Sequence, residues 1–357
     1  MDVTAYEGLE ALEALKPEWD ALLQSCAAPR PFLMHEWLVA SWRHYGEGDR
    51  LLTVCFRDAG RLAGLVPLRA HGPGFRRQLS FAVSGADYPD FLVGAGAEWA
   101  VLEAFFQWLK DEYRSWDCVR LRGMWSGSPT DELVPVAAGL AGLAACGWRV
   151  DVCPYVALPA TREEFHETMP GRRWQREHGA RRMRKLAREH GEPVLRVTEA
   201  ADVTRDTMAR FLELHRKGWE ERGGSAALND ERVPSFHFDL AASLAPTGVP
   251  ALFWLVVGGR EVACSYGFRM GRTFFGYMMA YDPEFAAYSV GRQLTLKIVE
   301  RGIDEGWGEI DMLSGGERYK YDYTRRGRHT MDYAIAKSPA WLRLVLAVTA
   351  LRGRSCP

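Results

Sequence analysis

The sequence predicts an α/β fold of mixed sheet, built as two related modules packed together. Three observations carry that prediction. A chain of 357 residues is longer than a single core usually serves, so two domains are the default. Apolar segments of strand period alternate with segments of helix period along the whole length. One order of elements, hairpin, strand, loop, helix, strand, occurs twice. The expected division is 1–151 for an N-terminal module and 152–357 for a C-terminal one.

In chain order, residues 9–25 and 35–45 place apolar side chains at helical spacing. LLTVCFRD and RLAGLVPLRAH flank Ala59-Gly60 and read as a β-hairpin. RQLSFAV follows as a strand, and SGADYPDFLVG as a polar loop punctuated by Gly and Pro. AEWAVLEAFFQWLKDEY is an amphipathic helix, DCVRLRG a strand, and residues 126–150 hold an alanine-rich helix. The second region opens at about Val152 with TREEFHETM and GRRWQREHGARRMRKLAREHG. DVTRDTMARFLELHRKGWEERGG is a long helix, SFHFDLAASLAP a shorter one, and ALFWLVVGGREVACSYGFRM a hairpin turning at Gly258-Gly259. HTMDYAIAK reads as a last strand before a C-terminal helix whose apolar run is broken by Arg343.

The repeat rests on matched pieces. LLTVCFRDAGRLAGLVPLRA aligns with ALFWLVVGGREVACSYGFRM, residues 98–113 with residues 290–305, and DCVRLRG with GEIDMLSG. Each copy turns on glycine and continues into a further strand.

Composition sets limits. Apolar content of 47% with 13 Trp, 13 Tyr and 16 Phe supplies well-packed cores. A formal charge of −1 argues against a dedicated DNA binder, which carries a strongly basic domain. No charged-then-apolar leader is visible and no unbroken apolar run reaches ~18 residues, so a cytoplasmic protein without stable membrane insertion is expected. The seven cysteines lack CxxC spacing and no His-x3-His accompanies them. Free thiols are expected, with no disulfide framework and no metal site.

The stretch 272–323 organises the second copy. GRTFFGYMMAY is a strand, DPEFAAY a turn, SVGRQLTLKIVERGIDEG a helix, WGEIDML a strand, and SGGERYKYDYT a polar run. Ser289 is suited to cap the helix, Gly291 lets a ligand approach the backbone, and Arg292 and Lys297 add positive charge. Free N–H groups and the helix dipole make this corner a seat for an anion such as a pyrophosphate. An ordinary capped βα connection is the plain alternative. The first copy's helix opens with Glu98 and no basic neighbour, which repels a polyphosphate. Electrostatics therefore assigns an anionic cofactor to copy two and leaves copy one to the acceptor or to scaffolding.

These pieces bring a resemblance into view. GRRWQREHGARRMRKLAREHG, FLELHRKGW, GREVACSYGF, YDPEFAAYSVGRQL and GGERYKYDYT follow one another with family-like spacing. The sequence resembles the tandem GNAT-fold acyltransferases of the CelD/BcsL type, relatives of the FemAB-like transferases. The match is most specific over 172–324 and weaker in PFLMHEWL, GRLAGLVPL and SGADYPDFLV. It implies two GNAT-like modules and an acyl-CoA co-substrate whose pyrophosphate sits at Tyr288, Ser289, Val290, Gly291, Arg292 and Gln293. The loop departs from the family pattern: Ala286 and Ser289 stand at its first two positions, and Val290 replaces a usual Pro.

Direct acyl transfer needs a polarised carbonyl, a deprotonated nucleophile and a proton for the leaving thiolate. Backbone N–H groups along Met278, Met279 and Ala280 are placed to polarise the carbonyl. Asp311 or Glu317 is the candidate base, Tyr319, Tyr321 and Tyr323 offer phenols, and Lys320 can steady negative charge. Asp311 as a turn acceptor and the tyrosines as strand packing are the plain alternatives. Asp87, Tyr88 and Trp219 are candidate acceptor-side residues, although a turn at Pro89 also explains Asp87. His215 reads as a core residue. The segment 172–188 carries eight basic residues against Glu177. It is a solvated face, or a contact for the CoA 3′-phosphate, a carrier protein or tRNA.

The leading expectation is an N-acyltransferase moving an acyl group from acyl-CoA to an amine of a small molecule, amino sugar or peptide. Its pocket is expected between the modules, over the carboxyl ends of the second copy's strands. A FemAB-like aminoacyl transferase using aminoacyl-tRNA is the runner-up. A silent scaffold in polysaccharide or natural-product assembly is the third reading.

Overall fold

The computed structural model describes residues 1–72, 77–220 and 230–351, the side chains of 219, 220 and 348–351 apart. The chain forms two compact units, Met1–Val152 with Arg328–Pro357, and Cys153–Gly327. The C-terminal thirty residues, read from sequence as part of the second module, thus return to the first. The reason is strand pairing, given below.

The first unit contains β1 (Asp2–Glu7), β2 (Arg50–Asp58), β3 (Arg61–His71), β4 (Gln78–Phe81), β5 (Leu92–Val93), β6 (Cys118–Trp125) and the first part of β7 (Ala144–Ala157). The second contains the rest of β7 with β8 (Val194–Glu199), β9 (Pro250–Val257), β10 (Arg260–Met270), β11 (Thr273–Tyr281) and β12 (Glu309–Asp311). The last strand, β13 (Gly327–Ala336), lies antiparallel to β6, with Ile335 opposite Val119. That ladder carries the C-terminus back to the first unit.

Ala59 and Gly60, both left-handed at φ 46 and 81, turn β2 into β3, the conformation a two-residue hairpin asks for. β4 runs antiparallel to β3 and parallel to β6, the parallel part joining Gln78–Ser80 to Cys118–Arg120. The helix Glu98–Asp111 lays Val101, Leu102, Phe105, Phe106 and Leu109 on this sheet, all buried. At Gly64 a Cβ would meet Val101 Cγ2 at 2.6 Å, so the strand must be bare where the helix crosses it.

The second unit repeats the scheme. Its strand order is β8-β9-β10-β11-β12, then the Cys153–Ala157 part of β7. β11 runs antiparallel to β10 and parallel to β12, again through three residues, Thr273–Phe275 against Glu309–Asp311. The helix Val290–Asp304 buries Val290, Leu294, Ile298 and Val299 in a core with Phe253, Leu255 and Phe274. The helices Arg205–Glu220 and Arg232–Leu244 cover the other face, where Phe211 meets Tyr266. The duplicated order expected from sequence is therefore a duplicated pairing scheme.

Four strands were not expected, among them the two-residue β5 inside the predicted loop. β1 and β8 are sheet edges with mostly exposed or half-exposed residues, so neither shows a strong apolar alternation. β7 starts in an Ala/Gly-rich run and is interrupted by Arg149 and Asp151.

Candidate active site

The predicted corner is present, with a different cap. β11 leads into a 3₁₀ turn, Pro283–Tyr288, started by Asp282, whose Oδ1 accepts the Glu284 N–H at 3.1 Å. Asp282 is buried and held by Lys217 at 2.9 Å and Arg260 at 3.0 Å. The turn ends at Ser289, which is left-handed at φ 59 and makes no side-chain cap. Its hydroxyl instead accepts from Arg182. The cap expected at Ser289 fails because a left-handed residue does not aim Oγ at the first turn, where an extended one would. The first helical bond runs from Gln293 N–H to Ser289 C=O at 3.0 Å. The N–H groups of Val290, Gly291 and Arg292 precede it and have no intrahelical acceptor.

The basic segment packs onto this corner. Arg172–Trp174 and Ala180–His190 are α-helical, joined by a π turn at Gln175–Gly179. The Trp174 ring lies close to two guanidinium groups, Arg292 with Cζ 3.6 Å from the centroid and Arg182 at 5.7 Å. Gln175 and Gln293 exchange amide bonds of 3.3 and 2.9 Å. Gly179 must be glycine beside them, because a Cβ would fall 2.1 Å from Gln175 Oε1. Arg292 also pairs with Asp322, and Tyr323 donates to the Arg292 carbonyl at 2.6 Å. Burial pushes the Asp322 carboxyl up while Arg292 pulls it down, with burial dominant. On the outer side, Glu189 and His190 both reach the Tyr288 hydroxyl, at 2.6 and 3.1 Å.

Beside the corner the sheet opens. β12 follows β11 only as far as Phe275, so β11 beyond Gly276 has lost that neighbour. Asp282 N–H bonds Val262 of β10 at 2.9 Å. Alternation along an antiparallel strand then turns Ala280 and Met278 toward β10, and turns the Met279 N–H toward the side β12 has left. Gly291 lies against Met279, its hypothetical Cβ 3.3 Å from Sδ. Of the three expected carbonyl-polarising positions, Met279 alone faces the gap; Ala280 is buried.

The loop after β12 separates the catalytic candidates. Asp311 is wholly buried, and Oδ1 accepts the Leu313 N–H at 2.8 Å; it holds the turn. Lys320 is 4% exposed and donates to the carbonyls of Leu313, Ser314 and Gly315 at 3.2, 2.9 and 3.0 Å. Its Nζ also lies 2.9 Å from Glu317 Oε2. That staple holds Leu313 left-handed at φ 56, a costly state for a branched residue. Glu317 and Tyr319 are exposed. The Tyr319 phenol is pushed up to about 12 by its surroundings, first by desolvation and then by Glu317.

The acceptor-side residues fare differently. Tyr88 is 1% exposed and packs edge-on to Phe32 at 6.4 Å and against Trp125 at 6.3 Å. It is a core residue of the first unit, not a lining one. Asp87 is half-buried beside it. The side chain of Trp219 lies outside the described residues.

Sequence reasoning missed a buried polar cluster on the second unit's other helical face. His215 and His237 are 8% and 3% exposed, and Tyr266 is 0% exposed. His237 lies edge-on to Tyr266 at 5.9 Å and to Tyr277 at 5.8 Å. Among the described residues, His237 Nδ1 and the Tyr266 hydroxyl have no hydrogen-bond partner. Tyr277 is the extra residue of a β-bulge: Met278 faces Tyr266 and Gly276 faces Gly267, leaving Tyr277 unmatched. Helical spacing had marked His215 as core; nothing in the sequence marked His237.

Residues 173–321 match the family described as "Acetyltransferase (GNAT) domain". No curated protein matches the chain. Among solved structures, that of FemX is similar at a TM-score of 0.63 and 10% identity, over 97% of this chain and 100% of the other. A conserved protein of unknown function from Bacteroides thetaiotaomicron is similar at 0.57 and 13%, over 90% and 97%. The C-terminal domain of a putative lysylphosphatidylglycerol synthetase from Agrobacterium fabrum is similar at 0.53 and 11%, over 95% and 96%. At such identities the three speak for the fold. The segment 173–321 matches the GNAT acetyltransferase domain, the chain as a whole shares the fold of FemX, and the protein is an acyltransferase.

Proposed function

We propose that the protein moves an acyl group from acyl-CoA to an amine of a small molecule, amino sugar or peptide. The observation that carries this is the gap beside β11 beyond Phe275, with three N–H groups and Arg292 at the helix end next to it. The donor's amide-bearing arm takes the place of the strand β12 does not supply, pairing with Met279. Its diphosphate lies over the N–H groups of Val290, Gly291 and Arg292, where the dipole and the guanidinium groups of Arg182 and Arg292 favour negative charge. The Met279 N–H stabilises the oxyanion formed as the thioester carbonyl is attacked. Tyr319, kept protonated by its surroundings and by the Glu317 charge, returns a proton to the departing thiolate. Lys320 and Asp311 shape the loop that presents it.

Isothermal titration of the full chain with acetyl-CoA and a long-chain acyl-CoA tests this reading. Micromolar binding of either, weakened in Arg292→Gln, is expected. Absence of binding at several hundred micromolar sinks it.

One observation favours a second donor. Arg172, Arg176, Arg181 and Arg184 are exposed and have no ion pair among the described residues. Such a row suits the phosphate backbone of an aminoacyl-tRNA. Binding of charged tRNA whose affinity falls steeply with salt, and falls again in Arg181→Glu/Arg184→Glu, would select that donor over CoA.

A further inference from the structure

We propose that His237 is the group that receives the acceptor's proton, and that the Tyr266 hydroxyl and His237 together form the polar wall on which the acceptor's amine rests beside Tyr277. The inference rests on the acyl-transfer reading and names the acceptor side of the same site.

Four observations carry it. First, two polar atoms, His237 Nδ1 and the Tyr266 hydroxyl, are enclosed and unpartnered among the described residues. An enclosed unpaired group is destabilising, and proteins keep few of them without a use. Second, the two rings pack edge to face with centroids 5.9 Å apart, which puts both unmet atoms in one neighbourhood. Third, the bulged Tyr277 packs against both rings, its centroid 5.8 Å from that of His237 and 6.0 Å from that of Tyr266. Bulges re-aim side chains beside reactive sites, and here the bulge begins where β11 loses β12. Fourth, Met279 is two residues further along the strand. The imidazole is then on the order of 10 Å from the oxyanion donor, a distance that an acceptor amine with one water bridges.

Burial and His215 hold the His237 ring at about 4. It is therefore neutral near pH 7 and holds a proton only transiently during the transfer. As the amine nitrogen bonds to the thioester carbon, its proton passes to His237. The carbon–sulfur bond then breaks and the thiolate takes the Tyr319 phenol proton. Solvent returns the imidazolium proton to the phenolate, so amine and thioester become amide and thiol.

The test uses the full chain and two variants, His237→Gln and Tyr266→Phe. Melting needs no acceptor. A wall kept for a ligand gives a Tyr266→Phe melting temperature equal to or above wild type, whereas a drop of several degrees means the hydroxyl serves the fold and overturns the proposal. Turnover is read as thiol released from acetyl-CoA with glucosamine, lysine and tyramine, and with water as the acceptor that is always present. A fall of about 100-fold or more in kcat in His237→Gln, with acetyl-CoA affinity within threefold of wild type, is expected. Tyr266→Phe should raise the amine KM more than it lowers kcat. Full turnover in both variants refutes the assignment, while loss of acetyl-CoA binding by wild type refutes the acyl-CoA reading instead.

Discussion

Replacing Lys320 with Met separates a staple from a catalyst. Methionine keeps most of the buried stem and removes only the ammonium, which holds the carbonyls of Leu313, Ser314 and Gly315 at 3.2, 2.9 and 3.0 Å. A hydrogen bond from a charged donor contributes about 1.5–3 kcal/mol net. Two of these carbonyls belong to half-buried residues, so the low end applies and the three together come to about 4.5 kcal/mol. The pair with Glu317, whose side chain is 56% exposed, adds less than about 1 kcal/mol. In a domain of this size each kcal/mol moves the melting temperature by about 2–4 °C. Lys320→Met should therefore melt roughly 10 °C lower in the transition of the second unit, followed by circular dichroism or calorimetry. It should lose activity in proportion to the folded fraction. If it melts within about 2 °C of wild type yet turns over at least 100-fold more slowly, Lys320 acts in the chemistry and the staple argument is wrong.

Three further outcomes follow from the same geometry. Arg292→Gln removes one cation from the helix end and should weaken acyl-CoA about tenfold, or about 1.4 kcal/mol; unchanged affinity by titration would move the diphosphate elsewhere. Gly267→Ala should cost about 3 kcal/mol or more, because its Cβ would lie 2.3 Å from the backbone oxygen of Phe275, an atom that cannot swing aside; urea denaturation measures it, and a loss under 1 kcal/mol contradicts the bulge geometry. His237 sits near 4 in the fold against 6.5 ordinarily, so the unfolded chain takes the proton first as pH falls. Its contribution is intact above about 6.5 and is lost progressively toward pH 4, by up to about 3 kcal/mol. His237→Leu should flatten that part of the stability profile, and an unaltered slope counts against the buried neutral ring.

Much of the fold was readable because its signals are local. The β2–β3 and β9–β10 turns each sit on two residues with positive φ, and the buried helix faces have an unmistakable period. Pairing between distant segments was not readable. β13 leaves the second module's sequence and joins β6, and no spacing announces a partner some two hundred residues away. The corner at Ser289–Gln293 was placed correctly in the chain, but the manner of its stabilisation was not. Ser289 takes a left-handed backbone that a serine only sometimes adopts, and its hydroxyl is claimed by Arg182 from across the unit. Tyr88, one of the acceptor-side candidates, is a core residue for a similar reason. Tyr88 follows a Gly/Asp turn that looks like a binding loop, and only tertiary packing reveals it as core. His237 has the opposite history, since a histidine in an apolar helix carries no mark until the sheet beneath it is known.

The π turn at Gln175–Gly179 has a mechanical consequence. It inserts one surplus residue into an otherwise regular rod, and each residue of such a rod turns the next by about 100°. Excising a single position there would restore uniform winding and swing everything upstream around the axis, carrying Trp174 off the Arg292 guanidinium and Gln175 off Gln293. The alignment of these two helices is thus a matter of phase, set by one residue count rather than by the strength of any contact.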